Sequence, residues 1–280
     1  MAEWVLIGAD GMLGRCWEEL LKSRGIDYVA TTIEDLDIRD ASAVAQVVQP
    51  GAKWVVNCAA YTLVDAAEEH EALANEVNGH AVGRMAERCQ AVGAKLLHYS
   101  TDYVFDGRAT EPYRTDHPRH PVNAYGRSKA LGEELLERSG VGHLLVRGSW
   151  LYAPWGQNFV LTIAGLAETR ESLRVVDDQR GRPTDSRRLA EVSFELAEKG
   201  CRGVFHVTDG GECTWFELAS LIAELVNPTC VVEPCTSDEF PRPAARPAYS
   251  VLDLSATEAL VGALTPWQTR VRDVLAHVER

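Results

Sequence analysis

The sequence predicts an α/β fold, a doubly wound parallel sheet with a smaller carboxy-terminal lobe, and three observations carry that prediction. Short apolar runs of strand length alternate with segments of helical periodicity along most of the chain, the pattern of a parallel sheet covered on both faces. The first such run passes directly into three glycines and then an amphipathic helix. Beyond Gly210 the rhythm loosens, and prolines at 234, 241, 243 and 247 interrupt it, which predicts the loops of a smaller lobe rather than further sheet.

Taken in order, the strands are expected at 4–7, 28–31, 54–57, 95–100, 143–147 and 204–207, and the helices near 12–24, 40–48, 68–92, 126–138, 157–169 and 187–199. The first strand leads into Gly8-Ala-Asp-Gly11-Met-Leu-Gly14, a G-x-x-G-x-x-G turn, and Leu13, Trp17, Leu20 and Leu21 recur at helical spacing behind it. In a Rossmann-type sheet such a turn seats a pyrophosphate on the helix N-terminus. Gly8 permits the tight turn, Gly11 allows the phosphates to approach the backbone, and Gly14 lets the helix pack on the sheet. The helical run from 68 to 92 is interrupted by Asn78-Gly79, and its polar first turn, 65–69, complements a helix dipole.

Ligands of open α/β sheets bind outside the carboxyl ends of the strands. Gly8 follows the first strand, Ala59, Ala60 and Tyr61 the third, Thr101 to Tyr103 the fourth, and Gly148 to Trp150 the fifth, so four segments converge on one edge. The expected division is a dinucleotide-binding domain of residues 1–150 and about 187–208, and a second, ligand-binding lobe of about 151–186 and 209–280.

Composition excludes several classes. With 28 Lys plus Arg against 41 Asp plus Glu in 280 residues, the formal charge is −13, and no basic run is present to attract nucleic acid. The start has neither a basic leader nor a long apolar core, and no stretch approaches the roughly 18 apolar residues of a spanning helix, so no membrane partner is expected and the expected location is cytoplasmic. The seven cysteines form no Cys-x-x-Cys pair and are expected to be free thiols, Cys58 being a small apolar filler. The eight histidines show no metal-ligand spacing, and no metal site is expected.

The most specific chemistry lies in Asn123-Ala-Tyr-Gly-Arg-Ser-Lys129. A phenol at 125 and an ammonium at 129 stand four apart on one helix face. Free tyrosine keeps its proton to about pH 10, and a neighbouring cation is expected to lower that value toward one useful for proton transfer. Thr101 supplies a hydroxyl for the reacting oxygen.

These residues resemble the dTDP-4-dehydrorhamnose reductases of the extended short-chain dehydrogenase/reductase group. The similarity is continuous from the glycine turn through Val56-Asn-Cys-Ala-Ala-Tyr-Thr62, Asp65, Glu76-Val-Asn78, His98-Tyr-Ser-Thr-Asp-Tyr-Val-Phe-Asp-Gly107, Pro112-Tyr113, Tyr125-Gly-Arg-Ser-Lys129 and Gly132-Glu133. It extends to Gly148-Ser-Trp-Leu-Tyr152, Asn158-Phe-Val160, Val175-Val-Asp-Asp-Gln-Arg-Gly-Arg-Pro-Thr184 and Arg246-Pro-Ala-Tyr-Ser-Val-Leu-Asp253. The Ser-Thr-Asp-Tyr-Val-Phe-Asp-Gly run is the most discriminating part.

The resemblance implies reduction of the C4 ketone of dTDP-4-dehydro-6-deoxy-L-mannose to dTDP-L-rhamnose by hydride from a nicotinamide cofactor. It implies Tyr125 as proton donor, Lys129 as the cation that tunes it and holds the nicotinamide ribose, and Thr101 as the hydrogen-bonding partner of the carbonyl. Gly8, Gly11, Met12, Leu13, Gly14, Asp37, Ile38, Ala59, Ala60, Tyr61, Tyr125 and Lys129 would hold the dinucleotide. Thr62, Val64, Thr101, Asp102, Tyr103, Tyr125, Trp150 and Arg246 would meet the nucleotide sugar. Met12, Leu13, Ile38 and Val64 read equally as core, Trp150 also as packing at the domain junction, and Arg246 also as a solvated arginine. Asp102 reads either as an acceptor orienting loop groups or as a turn residue bonded to local backbone.

Thr31 and Thr32 stand where a carboxylate would select NAD, so NADPH is expected to be preferred, with NADH possible because Glu34 and Asp35 follow closely. A related 4,6-dehydratase would need Asp-Glu after the threonine, and here Tyr103 follows Asp102; an epimerase-reductase would often carry a cysteine at the place of Thr101. A reductase of another nucleotide 4-keto sugar, and a non-catalytic NADP-binding regulatory subunit like the methionine adenosyltransferase beta subunit, stay open at this point. Family members include magnesium-bridged dimers, but Arg15 and Cys16 follow Gly14 here, so a monomer or weak, metal-free homodimer is expected.

Overall fold

The computed structural model describes residues 2–278. In chain order the elements are β1 (Trp4–Ile7), α1 (Met12–Ser23), β2 (Tyr28–Thr31), α2 (Ala41–Val47), β3 (Trp54–Asn57), α3 (Glu71–Asn75), α4 (Ala81–Val92), β4 (Lys95–Thr101), α5 (Ala124–Arg138), β5 (His143–Gly148) and β6 (Leu151–Tyr152). They continue with α6 (Phe159–Thr169), β7 (Ser172–Val176), β8 (Arg180–Gly181), β9 (Thr184–Asp185), α7 (Ser186–Glu198), β10 (Gly203–His206), β11 (Cys213–Thr214), α8 (Trp215–Val226), β12 (Val231–Cys235), α9 (Ser255–Val261) and α10 (Trp267–Ala276).

Six strands form one all-parallel sheet in the order β2-β1-β3-β4-β5-β10. The chain leaves β1 toward β2 and then returns across it to β3, so the strand order reverses between β1 and β3, where crevices in such sheets open. The strands are apolar on both faces because helices cover both. Trp4, Leu6, Trp54, Val56, Leu97, Tyr99, Leu144 and Val146 point into one core with α1 and α7, while Val5, Ile7, Val55, Leu96 and Leu145 point into the other with α2 and α4. The first core is unusually aromatic: Trp4 lies 5.8 Å from Trp17, 6.0 Å from Trp54 and 5.3 Å from Phe194 between ring centres, and Trp17 donates to the Tyr99 hydroxyl at 2.7 Å. Truncating the fully buried Trp17 to alanine would cost about 3–5 kcal/mol.

The glycine interruption near residue 78 does not break its helix. Residues Glu76–His80 form a π turn that joins α3 to α4, and such a bulge frees side chains for other work. Asn78, 1% exposed, accepts from the Tyr61 N–H at 2.9 Å and donates to the Tyr61 carbonyl and to Ser128 of α5, both at 2.9 Å. It thereby fixes the loop after β3 to the helix that carries Tyr125 and Lys129.

The carboxy-terminal region departs from expectation. Beyond Gly210, in place of loops, it contains β12 paired in parallel with β7 over five residues, β11 paired with β8, and the helices α8, α9 and α10; β6 and β9 form a further short pair ahead of them. Pro234 is tolerated because β12 lies at the edge of a two-stranded sheet, where a missing N–H costs little. The start of α8 carries a local signal that the sequence reading did not use: Thr214 accepts from the Glu217 N–H and Glu217 accepts from the Thr214 N–H, a reciprocal cap worth about 1 kcal/mol. Tyr152, Val160, Ile163, Leu218, Ile222, Trp267 and Val271 form the separate core of this lobe, whereas Leu254 and Leu264 pack back onto the core of the main sheet. No helix among the described residues is long and apolar enough to cross a membrane.

Candidate active site

The carboxyl end of β4 and the first turn of α5 meet at the expected place. α5 starts at Ala124, two residues ahead of the sequence reading, because the Asn123 side chain accepts from the Gly126 N–H at 2.7 Å and caps the helix. The same side chain donates to the Ala245 carbonyl at 2.8 Å, tying the helix start to the second lobe. Tyr125 stands edge-on to Tyr103, with ring centres 5.9 Å apart. Thr101 accepts from the Tyr103 N–H at 3.2 Å and donates to the Asp102 carboxylate at 2.9 Å.

Electrostatics here are governed by burial, and they correct one expectation. The Tyr125 phenol is pushed upward from its ordinary pKa, first by burial and then by the Asp102 charge, with Thr101 pulling the other way; Lys129 does not lower it. The reason is where the ammonium goes. Lys129, 3% exposed, donates to the Tyr99 carbonyl at 2.7 Å, and burial brings its pKa down to about 8 against the opposing pull of Glu133. Glu133 is itself completely buried and shared by two arginines: Arg147 reaches it at 2.6 and 2.9 Å and Arg119 at 3.1 Å. Burial would raise Glu133, but Arg147 holds it below the usual carboxylate range. Asp102, 2% exposed, is raised by burial to about 6, with Ser250 and Thr101 opposing.

A cleft of about 380 Å³ opens at the β1–β3 reversal. Gly8, Gly11, Asp37, Ile38, Ala59, Ala60 and Tyr61 line it, together with Thr32, Arg39, Cys58, Leu73 and Val77. Gly8 has a positive φ of 80°, and a Cβ there would lie 2.7 Å from the Ala59 nitrogen. A Cβ on Gly14 would lie 2.0 Å from the Gly8 carbonyl oxygen, so helix and turn touch through backbone alone. Gly11 is different: it is exposed, and the nearest protein atom to an added Cβ is 3.4 Å away. α1 begins there with no side-chain cap and no acidic residue in its first turn, leaving its N–H groups available to an anion. Met12 opens that helix and Leu13 is buried in the core.

On the β2 side of the cleft, Thr32 donates through its N–H and hydroxyl to Asp35 at 2.9 and 2.8 Å, and Arg39 chelates the Asp37 carboxylate. Cys58 packs against the core as the filler reading expects but is only half-buried and also faces the cleft, and burial pushes its thiol far up.

On the opposite side, the Trp150 ring stacks on Trp215. Arg246 is bonded to Asp65 at 3.0 Å, Asp65 also accepts from the Ala244 N–H at 3.2 Å, and Arg242 lies 3.7 Å away, so the 242–246 loop is docked on the segment after β3. Arg246 borders a depression of about 300 Å³ with Gln179 and Arg242. Thr62 is exposed and Val64 half-buried on that same segment. Asp102 combines its two readings: it accepts from the Thr101 hydroxyl, and local backbone N–H groups also stabilise its carboxylate. Sequence reasoning gave no role to Asn78, Ser128, Asn123, Glu133 or Ser250. A helix-breaking Asn-Gly inside an apolar helical run, followed by an Asn three residues before a glycine, were the available signals for Asn78 and Asn123.

Comparison with known proteins places this arrangement. A family model described as the RmlD substrate binding domain matches residues 2–280. A dTDP-4-dehydrorhamnose reductase of Streptomyces griseus is 43% identical over 267 residues, covering 91% of this chain and 87% of that protein. A dTDP-4-keto-6-deoxy-D-glucose reductase of Streptomyces niveus is 40% identical over 273 residues, covering 95% and 94%. The crystal structure of dTDP-4-dehydrorhamnose reductase from Bacillus anthracis in complex with NADP superposes with a TM-score of 0.93 at 36% identity, covering 99% of both chains.

Proposed function

The chain belongs to the RmlD substrate-binding-domain family, that of the dTDP-4-dehydrorhamnose reductases, and from this premise we propose how its residues carry out the reaction. It is an NADPH-dependent oxidoreductase that reduces the C4 ketone of dTDP-4-dehydro-6-deoxy-L-mannose to give dTDP-L-rhamnose. The observation that carries the assignment is the juxtaposition of an uncapped α1 N-terminus and open β1–β3 cleft with the Thr101–Tyr125 pair at the end of the neighbouring strand.

The fit of the dinucleotide rests on Gly11, whose missing side chain serves nothing inside the protein, and on the free N–H groups behind it. Gly8, Gly11, Met12 and Leu13 contribute backbone to the pyrophosphate, with Gly14 letting the helix reach it. Asp37 and Ile38 border the adenosine, and Ala59, Ala60 and Tyr61 wall the cleft. NADPH, when bound, supplies the hydride. Thr32 carries no charge to repel a 2′-phosphate, which supports NADPH as the preferred cofactor; Asp35, engaged by Thr32, leaves NADH usable.

Tyr125 donates its proton to the ketone oxygen as C4 is reduced, the O–H bond forming while negative charge gathers on that oxygen. A phenol held neutral by burial suits a donor, since it carries its proton through the working range. Thr101 hydrogen-bonds the same oxygen and orients it, and Asp102 fixes the Thr101 hydroxyl. Lys129, stationed on the Tyr99 carbonyl, holds the nicotinamide ribose. Thr62, Val64, Tyr103 and Trp150 surround the sugar, and Arg246 meets the nucleotide diphosphate once it exchanges Asp65 for phosphate.

Residues 1–150 and about 187–208 form the dinucleotide-binding domain, and about 151–186 and 209–280 the sugar-nucleotide lobe. The protein works in the cytoplasm as a monomer or weak, metal-free homodimer, which light scattering with and without magnesium tests. The deciding assay follows NADPH oxidation by its absorbance, in the presence and absence of dTDP-4-dehydrorhamnose; no substrate-dependent oxidation overturns the reading. A second substrate, a dTDP-4-keto-6-deoxy sugar of the gluco series, is favoured by the name of the Streptomyces niveus relative and belongs in the same assay. The intact Thr101, Tyr125 and Lys129 speak against a purely regulatory NADP-binding subunit.

A further inference from the structure

Among the described residues, Trp150 is the one non-glycine with its backbone in the left-handed region, at φ 51°. A bulky residue stays there only when its surroundings over-determine it. Here they do so through backbone first: the Thr184 N–H donates to the Trp150 carbonyl at 3.2 Å, the Thr184 hydroxyl to the Ser149 carbonyl at 2.5 Å, and the Ser149 hydroxyl to the Arg182 carbonyl at 2.6 Å. The indole is then held on one face and one edge. Its face lies on Trp215, with ring centres 3.5 Å apart and planes within 12°, and Phe159 supports Trp215 from a ring-centre distance of 4.5 Å.

Its edge lies against Gly181, where an added Cβ would sit 2.7 Å from Trp150 Cε2 and Cζ2 and 3.0 Å from the Ser250 hydroxyl. Gly181 is not among the glycines with positive φ, so space rather than backbone conformation requires it. Trp215 is equally fixed, being the first residue of a helix whose reciprocal Thr214–Glu217 cap sets the chain direction there. Trp150 nevertheless keeps part of its surface open to solvent.

An indole clamped on one face and one edge, and strained in its backbone, presents what remains of its surface in a fixed orientation. The geometry points to Trp215 and Gly181 as positioning residues that hold Trp150 in the orientation in which it meets the sugar nucleotide; this rests on the reading of Trp150 as a wall of the sugar pocket. Both act through Trp150, which they contact directly. Ser250, brought close by the same glycine, acts on Asp102 next to Thr101, so the clamp adjoins the reacting end of the site.

The test compares wild type with Trp215→Ala, Trp215→Phe, Gly181→Ala and Trp150→Ala, using the full chain. KM and kcat for dTDP-4-dehydrorhamnose, the dissociation constant of NADPH and the circular dichroism of the coupled indoles are measured for each. Two indoles this close couple as an exciton pair, and the part of the band that a substitution at 150 or 215 removes reports the stack independently of activity, the Trp4–Trp17–Trp54 cluster contributing a constant background. Trp215→Ala and Gly181→Ala are expected to raise KM about three- to tenfold, the size of one aromatic pair's contribution, with NADPH affinity unchanged.

Trp215→Phe is expected to lose the exciton band yet keep KM within about twofold of wild type, because a smaller aromatic face still backs the indole. Should Trp215→Ala fail to fold, Gly181→Ala carries the test. A raised KM in Trp150→Ala combined with wild-type KM in folded Trp215→Ala and Gly181→Ala overturns the positioning role alone. A wild-type KM in Trp150→Ala removes the pocket-wall reading, and the positioning role with it.

Discussion

At the β1–β3 end of the cleft the chain offers backbone: two glycines in contact through main-chain atoms, an uncapped helix start and a third glycine left open. At the junction with the second lobe it offers side chains in pairs, Trp150 on Trp215, Arg246 on Asp65, and Asn123 across to Ala245. The first kind of site depends on atoms that are absent and on residues within one turn of each other. The second depends on partners separated by scores of positions, each of which can be removed singly. Between them stands the end of β4 and the start of α5, the proposed reacting end, where burial rather than any one neighbour dominates the pKa shifts of Tyr125, Lys129 and Asp102.

The strongest test of that division is at the reacting end. Tyr125→Phe keeps the ring and its packing on Tyr103 but removes the proton, and kcat should fall by about 10²–10⁴-fold with NADPH binding intact. An unaltered turnover number in stopped-flow assays would remove Tyr125 from the mechanism.

Asp102 comes next in size. Burial raises its folded-state pKa from 3.8 to about 6, so the folded protein holds an extra proton between those values. Its contribution to stability is therefore full below the unfolded value and is lost as pH rises through the folded one, a change of about 3 kcal/mol. Asp102→Asn should flatten that slope, which urea unfolding at acid and neutral pH measures; an unchanged slope would mean that Asp102 is not the titrating group.

The backbone-built end predicts intolerance of a single methyl. Gly14→Ala would place a carbon 2.0 Å from the Gly8 oxygen and 2.8 Å from the Ala9 Cα, with no flexible side chain to give way. The expected result is a loss of about 1–3 kcal/mol in stability together with weakened NADP binding, read by thermal unfolding and calorimetry. Wild-type NADP affinity in this variant would break the contrast between the two ends.

The side-chain-built end predicts the smallest global effect. Asp65→Ala removes two partly exposed ion pairs, to Arg246 and Arg242, and one backbone contact, so stability should change by less than about 1 kcal/mol. KM for the sugar nucleotide should nevertheless rise a few-fold as the 242–246 loop loosens, and an unchanged KM would show that Asn123 alone holds that loop.

Legibility in the sequence follows the same division. The six sheet strands, the glycine turn and the Tyr125–Lys129 helix were readable because each is a local pattern: apolar runs, glycine spacing and a four-residue offset. The stretch beyond Gly210 was read as loops because β12 carries Pro234 and finds its partner β7 only across most of the lobe. The π turn at 76–80 was read as an interruption, since the bonds of Asn78 to Tyr61 and Ser128 that justify it are invisible locally. The pull of Lys129 on Tyr125 failed for a related reason. Helix geometry places both on one face, but the Tyr99 carbonyl, from another element, claims the ammonium.

What the sequence determined by itself is the sheet with its glycine turn and the gathering of Thr101, Tyr125 and Lys129 at one sheet edge, because hydrophobic periodicity, glycine placement and helical spacing act over a few residues and survive any tertiary context. Only the folded structure decided which of those side chains are charged, where Lys129 points and what holds Trp150 in place. Desolvation and packing are properties of the surroundings, and here the surroundings are assembled from both lobes.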